Sequence, residues 1–328
     1  MPGPFVVGVD LGGTNIVVGV VSVDGATQLP VRSEPTRPEQ GAEAVTDRMC
    51  RMIDTVIAEA RVATGVDRDA FVGIGVGAPG PLDRERGIVI VAPNLRWFDY
   101  PLAREMRLRT GLDVTLDNDA NCATMGEWWL GAARGARHVV GLTIGTGIGG
   151  GLILDGALYH GSSDVAGEIG HTTIDANGRR CACGNYGCLE AYASGSAIAE
   201  RAREALSGNE HSQLREMAGG DLARITAQLV YEASAAGDPV AREVVRDTAK
   251  FLGIGIATLL NIFNPEVVVL AGGVTQAGAA LFDPIRAEVR RRAFKPAWEA
   301  ARIVPGSLPG TAGVVGAVAT FLQQRSAS

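Results

Sequence analysis

A cluster of one histidine and three cysteines carries the strongest chemical signal in this sequence. His171 is followed by Cys181, Cys183 and Cys188, and the cysteines have the spacing Cys-x-Cys-x4-Cys. Three thiolates and one imidazole form a complete tetrahedral ligand set, which is typical of a closed structural Zn²⁺ site. Catalytic zinc is disfavoured because four protein ligands leave no open coordination position. The alternative is that the three cysteines are reduced, buried thiols without a metal.

Two glycine-rich turns have the composition of a phosphate clamp. The first is Asp10-Leu-Gly-Gly-Thr14, and the second is Gly145-Thr-Gly147. Glycines let backbone N–H groups converge on an anion, and Thr14 adds a hydroxyl group. A carboxylate such as Asp10 beside phosphates requires a cation between them, which predicts Mg²⁺. A pair of ordinary β-hairpins is the alternative.

A carboxylate at Asp119 is a candidate general base. Phosphoryl transfer to an alcohol needs a group that accepts the hydroxyl proton. Asp119 lies where a short predicted strand, residues 113–116, meets a predicted helix, residues 120–130, and Asn118 could orient the same substrate. Either residue could instead be a helix N-cap, because both residue types are favoured there, and the two roles are compatible.

Two glutamates flank the cysteine and histidine cluster. Glu168 precedes His171 by three residues, and Glu190 follows Cys188 by two. Carboxylates accept strong hydrogen bonds, so a zinc-held loop that carries both of them would suit the hydroxyl groups of a sugar. Glutamates that simply face water at the surface are the alternative.

The elements that must position these residues are short apolar strands. Strands are predicted on both sides of each glycine turn, at residues 6–9 and 16–23 and at residues 140–144 and 148–152. The repeat is too widely spaced for a solenoid, whose periods are about 20–50 residues, and it indicates two related domains. A third turn, Gly272-Gly273, follows the apolar strand 267–270 and could let a nucleotide approach closely.

Other nucleotide-binding motifs are excluded by these patterns. The turns lack the Gly-Lys-Ser/Thr of a P-loop. A strand rather than a helix follows the first glycines, which argues against a dinucleotide-binding fold.

Helices are predicted over residues from about 39 to 60, from residue 238 through about 260, and over residues 313–322.

Length, charge and cysteine content narrow the class of protein. The 328 residues suggest two domains, and the formal net charge of −6 argues against nucleic-acid or anionic-membrane partners. No signal peptide is recognised, and no apolar run approaches the ~20 residues of a membrane span. Five cysteines, an odd number, fit a metal site in a reducing cytosol better than a disulfide framework. A cytoplasmic protein is therefore expected.

Seven motifs in this order resemble the ROK family of repressors and kinases, and in particular its bacterial glucokinases. The resemblance covers nearly the whole chain, and the motifs are Asp10-Leu-Gly-Gly-Thr-Asn15, Gly77-Ala-Pro-Gly-Pro81, Asn118-Asp119, Gly145-Thr-Gly-Ile-Gly-Gly150, Glu168-Ile-Gly-His171, Cys181-Ala-Cys-Gly-Asn-Tyr-Gly-Cys-Leu-Glu190 and Leu270-Ala-Gly-Gly273. It implies an α/β protein with the actin-like ATPase (ribonuclease H-like) fold, whose two α/β domains surround a central cleft. The expected domains are a small one at residues 1–117, joined by a C-terminal helix at about 313–328, and a large one at 118–312 that carries the zinc loop.

The resemblance also implies roles for individual residues. Asp119 matches the catalytic base of the family, His171 would serve both zinc and sugar, and Asp10 would bind magnesium. The expected sugar contacts are Gly80, Asn118, Asp119, Glu168, His171 and Glu190. The expected ATP contacts are Asp10, Gly12, Gly13, Thr14, Asn15, Gly145, Thr146, Gly147, Gly272 and Gly273, of which the last two would lie near adenosine. The zinc ligands would be His171, Cys181, Cys183 and Cys188.

The implied reaction is ATP-dependent phosphorylation of glucose to glucose 6-phosphate, with Mg²⁺ and a structural Zn²⁺. A kinase for mannose, fructose, allose, N-acetylglucosamine or N-acetylmannosamine is the alternative, because the shared sugar contacts do not separate these substrates. A sugar-responsive transcriptional regulator is a more remote alternative, since only four residues precede the first strand where a DNA-binding segment would be expected. The family resemblance further implies a homodimer or homotetramer.

Overall fold

The computed structural model of the protein describes residues 3–207 and 212–327. The predicted domain ranges also include residues 1–2, 208–211 and 328, which lie outside the described residues. The strands in the described part are β1 (Phe5–Leu11), β2 (Asn15–Ser22), β3 (Arg32–Pro35), β4 (Phe71–Ala78), β5 (Leu82–Asp83), β6 (Ile88–Ala92), β7 (Trp97–Tyr100), β8 (Val114–Asn118), β9 (Val139–Ile144), β10 (Ile148–Leu154), β11 (Ala157–Leu158), β12 (Val267–Ala271) and β13 (Arg302–Pro305).

The described residues also form eleven α-helices. They are α1 (Ala42–Thr64), α2 (Leu102–Thr110), α3 (Asp119–Trp129), α4 (Glu190–Ala193), α5 (Gly195–Leu206), α6 (Gln213–Met217), α7 (Ala227–Ala236), α8 (Pro239–Phe263), α9 (Ala279–Arg292), α10 (Lys295–Ala300) and α11 (Ala312–Ala327). Single 3₁₀ turns occur at Pro38–Gln40, Arg68–Ala70, Pro93–Leu95, Ile169–His171, Leu222–Arg224 and Gly273–Ala277. Within the described ranges, no helix is both long enough and apolar enough to cross a membrane.

The chain divides into two compact units. Unit 1 consists of Met1–Gly135, Gly151–Gly167 and Ser307–Ser328, and unit 2 consists of Ala136–Gly150 and Glu168–Gly306. The domain boundaries expected from the sequence, after residues 117 and 312, differ from the boundaries of these two units. The expected domain boundaries stay a prediction.

Two five-stranded sheets share one strand order, which agrees with the repeat seen in the sequence. The orders are β3-β2-β1-β4-β8 and β11-β10-β9-β12-β13. In the first sheet β2 pairs antiparallel with both β1 and β3. Strand β4 pairs in parallel with β1 on one side and with β8 on the other. In the second sheet β10 and β11 pair antiparallel, and β12 pairs in parallel with β9 and β13. A small third sheet has the order β5-β6-β7.

Helix α1 covers the first sheet with a continuous apolar face. Val45, Met49 and Ile53 are fully buried at helical spacing. The helix begins three residues later than predicted, because Gly41 has φ +88° and separates it from the preceding 3₁₀ turn. It ends at Gly65, whose left-handed conformation is favourable for glycine at a helix C-terminus.

Helix α11 packs so closely against the other elements of unit 1 that two contacts require glycine. A Cβ atom on Gly316 would lie 1.5 Å from the carbonyl oxygen of Cys122, and one on Gly75 would lie 1.8 Å from the carbonyl oxygen of Ala317. The first turn of α11 also reaches Asp10, because a Cβ atom on Gly313 would lie 2.3 Å from Asp10 Oδ2. The packing of α11 therefore delimits the space around the carboxylate at the end of β1.

Candidate functional site

The first glycine turn joins β1 to β2 and is braced from outside. The N–H of Gly12 donates to the carbonyl of Asn15 at 2.9 Å, which closes the turn. Thr36 donates twice, from its N–H to the carbonyl of Thr14 at 2.8 Å and from its hydroxyl to the carbonyl of Gly12 at 2.7 Å. Two carbonyl groups of the turn are thus occupied by Thr36, a residue that no sequence motif indicated.

Asp10, Gly80, Asn118 and Asp119 lie at one edge of the first sheet. Asp10 of β1 is in register with Gly77 of β4, and Ala78 of β4 is in register with Asn118 of β8. All three strands are parallel, so their carboxyl ends meet at this edge, where ligands of open α/β sheets bind. Gly80 lies in the loop that follows β4.

Burial alters the acidity of the two aspartates at this edge. It raises the pKa of Asp10 from 3.8 to about 7, and the neighbouring charge of Asp119 adds to the effect. Burial likewise raises the pKa of Asp119. Carboxyl groups with raised pKa values can accept a proton near neutral pH or bind a cation that offsets the cost of ionisation. The Asp10 carboxylate offers oxygen ligands of the kind that a hard divalent cation such as Mg²⁺ prefers.

Asn118 is the N-cap of helix α3, one of the two assignments left open by the sequence. Its Oδ1 accepts hydrogen bonds from the N–H groups of Ala120 at 2.9 Å and Asn121 at 3.2 Å. Asp119 is the first residue of the helix and its Oδ1 accepts from the N–H of Ala120 at 2.8 Å. With the cap supplied by Asn118, Asp119 is available for another role.

The second glycine turn, in unit 2, is bound to a predicted sugar contact. The N–H of Gly145 donates to the carbonyl of Gly147 at 2.9 Å. Glu190, the first residue of α4, accepts a hydrogen bond from the N–H of Ile148 at 2.8 Å. A Cβ atom on Gly147 would lie 2.4 Å from Glu190 Oε2, so the carboxylate lies directly against the turn.

A cavity of about 870 Å³ in unit 2 brings the second and third glycine turns together. Gly145, Thr146 and Gly273 line it, and Gly272, with φ +95°, packs against the carbonyl of Ile144. The other walls come from α5, α7, α9 and the segments around them, including Ser196, Ala199, Arg203, Gln228, Tyr231 and Ala280. Its volume suits a ligand of nucleotide size. Sequence patterns did not indicate the helical walls, because these residues form no motif.

The four predicted zinc ligands converge on one point. Their ligand atoms all lie within 4.8 Å of one another. Cys181 Sγ is 3.7 Å from His171 Nδ1, and Cys183 Sγ is 3.7 Å from Cys188 Sγ. Tetrahedral Zn–S bonds of about 2.3 Å separate two sulfurs by about 3.8 Å. The cluster therefore fits a structural zinc ion, which would also stabilise the thiolate of Cys188, whose pKa burial raises to about 12.

The segment between His171 and Cys181 has protein supports besides the cysteines. Tyr192 of α4 accepts a hydrogen bond from the N–H of Arg179 at 2.8 Å and donates to Asp175 Oδ2 at 3.2 Å. The guanidinium of Arg179 makes two 2.7 Å hydrogen bonds to Glu204 of α5. Glu168 precedes the 3₁₀ turn that ends at His171, and its carbonyl accepts from the N–H of His171 at 3.1 Å.

The predicted site residues are distributed over both units. Unit 1 carries Asp10, Gly12, Gly13, Thr14, Asn15, Gly80, Asn118 and Asp119. Unit 2 carries Gly145, Thr146, Gly147, Glu168, His171, Cys181, Cys183, Cys188, Glu190, Gly272 and Gly273. Their roles toward substrate stay predictions.

The repeated sheets and the paired glycine turns define a mixed α/β protein of the actin-like ATPase fold. The chain belongs to the ROK family, whose sequence model matches residues 6–324. It is 38% identical over 326 residues to the glucokinase of Thermotoga maritima, and the alignment covers 99% of each chain.

Two solved structures illustrate the range of the family. A ROK family glucokinase from Streptomyces griseus, solved in complex with glucose and AMPPNP, is 35% identical with a TM-score of 0.82, covering 96% of this chain and 98% of that one. A ROK family transcriptional regulator, a homologue of the E. coli MLC protein, is 28% identical with a TM-score of 0.82, covering 98% of this chain and 78% of that one.

Proposed function

We propose that this chain is an ATP-dependent sugar kinase that transfers phosphate to the 6-hydroxyl of glucose. The observation that carries the proposal is its similarity, over almost the full length of both chains, to a protein named glucokinase. The solved relative that holds glucose and an ATP analogue supports the same pair of substrates. The local geometry of each unit is compatible with this proposal, because each unit carries a glycine turn and unit 1 also carries the half-buried Asp119.

In the proposed reaction Asp119 accepts the proton of the 6-hydroxyl of glucose. The 6-oxygen of the sugar attacks the γ-phosphorus of ATP at the same time. The bond from that phosphorus to the β,γ-bridging oxygen breaks, and ADP leaves. Burial raises the pKa of Asp119, which makes its carboxylate a stronger base than that of a free aspartate. The N–H groups of Gly12 and Gly145 donate within their turns, so the remaining N–H groups of the turns, those of Gly13, Thr14, Thr146 and Gly147, would bind the phosphates and offset their negative charge.

Sugar recognition is assigned to residues around the base and the zinc cluster. His171 Nδ1 lies toward the cysteine sulfurs, so its Nε2 would remain for a sugar hydroxyl. The further proposed contacts are Gly80, Asn118, Glu168 and Glu190. Zinc would act structurally here, by holding the orientation of the His171 ring.

Magnesium and adenosine complete the proposed substrate site. Asp10 would hold Mg²⁺, whose charge would neutralise the phosphate groups when bound. The adenosine portion of ATP would occupy the cavity beside Gly272 and Gly273. We also propose that the protein is cytoplasmic and forms a homodimer or homotetramer. A zinc site that uses three of the five cysteines, in place of disulfide bonds, is consistent with a reducing compartment.

The experiment is a coupled assay of ATP consumption with Mg²⁺ against a panel of sugars, giving kcat/KM for each. The panel contains glucose, mannose, fructose, allose, N-acetylglucosamine and N-acetylmannosamine. Glucose is expected to lead, with the product identified as the 6-phosphate by glucose-6-phosphate dehydrogenase. If another sugar has the highest kcat/KM, the protein is still a sugar kinase, but its preferred substrate is that sugar and not glucose. If zinc-replete protein turns over none of them, the proposed function fails.

A further inference from the structure

Asp117, the residue before Asn118 and Asp119, is the centre of a polar network in unit 1. Its side chain is completely buried. Oδ1 accepts a hydrogen bond of 2.8 Å from the N–H of Asn118 and one of 3.0 Å from Nδ2 of Asn121. One carboxylate oxygen thus holds both the last peptide of β8 and the first turn of α3, between which Asp119 lies.

The other oxygen of Asp117 is contacted from two distant segments. His160 Nε2 lies 2.9 Å from Oδ2, and because a carboxylate oxygen can only accept, Nε2 carries the proton. Arg84 Nε lies 3.2 Å from the same oxygen, and Arg84 Nη1 donates to Asp164 Oδ1 at 3.1 Å. Asp117 therefore joins the hairpin that contains Arg84 and the segment 155–167 to the Asn118-Asp119 turn.

His160 also organises the backbone of its own segment. Its carbonyl accepts a hydrogen bond from the N–H of Ala166 at 3.0 Å, which closes a loop that contains Gly161 at φ +74° and Asp164 at φ +57°. Glu168 follows Ala166 by two residues. The His160 ring, only 17% exposed, is the point at which this loop is fastened to Asp117.

We propose that Asp117 and His160 form a positioning pair for the phosphoryl transfer. The pair keeps the Asn118-Asp119 turn and the segment 155–167 in one arrangement, so that Asp119 meets the hydroxyl it deprotonates. Neither member of the pair needs to touch the substrate. This inference rests on the proposed function, because it concerns the efficiency of Asp119 as a base. A displacement of about 1 Å at a reacting group can cost about 100-fold in rate.

The test compares His160→Leu, which removes the donor, with His160→Gln, whose amide Nε2 can donate at a similar reach. We expect His160→Leu to lower kcat for glucose by about 10-fold or more, with the KM for ATP within about twofold. His160→Gln should restore most of kcat. Arg86→Leu, an exposed arginine on the same hairpin as Arg84, is the matched surface control and should leave kcat unchanged.

A double-mutant cycle distinguishes positioning from general loss of stability. Asp117→Asn should lower kcat, because an amide whose oxygen keeps the contacts with Asn118 and Asn121 turns its NH2 group toward His160. Adding His160→Leu should then lower kcat little further, since that contact is already lost. Tm and zinc content are measured for each variant. A His160→Leu variant with wild-type kcat, equal losses in the Leu and Gln variants, or losses of kcat that follow Tm would overturn the proposal. If the wild type turns over no sugar, the proposed function fails with it, whereas an active wild type confines the failure to the pair.

Discussion

The carboxylate of Glu190 accepts a 2.8 Å hydrogen bond from the backbone N–H of Ile148, at the end of the turn Gly145–Gly147. A residue proposed to bind sugar is therefore fixed against a turn proposed to bind phosphate. The two functions of Glu190, charge and backbone support, can be separated by substitution, because glutamine retains an accepting oxygen whereas alanine retains none.

We expect Glu190→Gln to raise the KM for glucose by about 10-fold or more while the KM for ATP changes by less than about twofold. The amide still accepts from Ile148, but hydrogen bonds from a sugar to a charged acceptor are stronger. Glu190→Ala should raise both KM values, because the turn also loses its support. Initial rates with each substrate varied in turn provide the measurement, and an unchanged KM for ATP in Glu190→Ala would show that the hydrogen bond does not support the turn.

Thr36 gives a corresponding prediction for the first glycine turn. Thr36→Val keeps the shape of the side chain but leaves the carbonyl of Gly12 without its 2.7 Å donor. The loss of this part-buried hydrogen bond should cost about 1 kcal/mol of stability and raise the KM for ATP. Thr36→Ser restores a hydroxyl and should recover most of both. Chemical denaturation and ATP kinetics measure the two effects, and a Thr36→Val variant with normal ATP kinetics would contradict the assigned support.

Local sequence signals were sufficient for much of the fold and for the zinc cluster. The apolar strands around the two glycine turns, and the Cys-x-Cys-x4-Cys spacing, involve residues that are close in sequence, so their geometry follows from short-range chemistry. The long helix predicted from Asp238 was also correct, since Asp238 caps α8 and Pro239 is its first residue. Helix α1, predicted from about residue 39, begins at Ala42, because Gly41 takes a conformation that separates it from the preceding 3₁₀ turn.

The remaining site features depend on contacts between residues far apart in the chain. Thr36 reaches Gly12 across 24 residues, and His160 reaches Asp117 across 43. The helical walls of the cavity in unit 2 likewise come from segments that carry no recognisable motif. Such partners are selected by packing of the folded chain, and no periodicity or spacing in one sequence encodes them.

The assignment of Asp119 as the base predicts a specific loss in Asp119→Asn. The amide preserves size and can still accept from the N–H of Ala120, but it cannot take a proton from the sugar. We expect kcat to fall by about 10²- to 10⁴-fold, the usual contribution of a general base, with Tm and zinc content near wild type. Single-turnover kinetics with glucose measure the chemical step. Turnover close to the wild-type value would remove Asp119 from this role.

Asp10 predicts a pH dependence of stability in protein without added Mg²⁺. Its pKa in the folded chain, about 7, lies above the usual 3.8, so the folded state holds a proton that the unfolded state has released between these values. Ionisation of Asp10 therefore lowers the free energy of unfolding progressively as pH rises from about 4 to about 7, and the loss of stability persists at higher pH. Asp10→Asn removes the ionisation and should raise Tm by about 2 °C or more at pH 8 but not at pH 4. Thermal scans at both pH values test this, and an equal effect at both would contradict it.

Removal of zinc should affect sugar binding more than ATP binding. The ligand atoms of His171 and the three cysteines converge on one point, and His171 is also a proposed sugar contact, so loss of the metal frees the ring that would orient the hydroxyl. Cys183→Ser is the sharpest variant, because Cys183 is exposed and its replacement disturbs little packing. It should lower zinc content, measured by atomic absorption, and raise the KM for glucose by about 10-fold or more. This loss is comparable to that caused by mutating residues that orient the ligands of a metal. Cys50→Ala, a buried cysteine of α1 away from the cluster, is the control and should keep full zinc content and sugar affinity. Unchanged glucose kinetics in zinc-free Cys183→Ser would mean that the cluster does not position the sugar contact at His171.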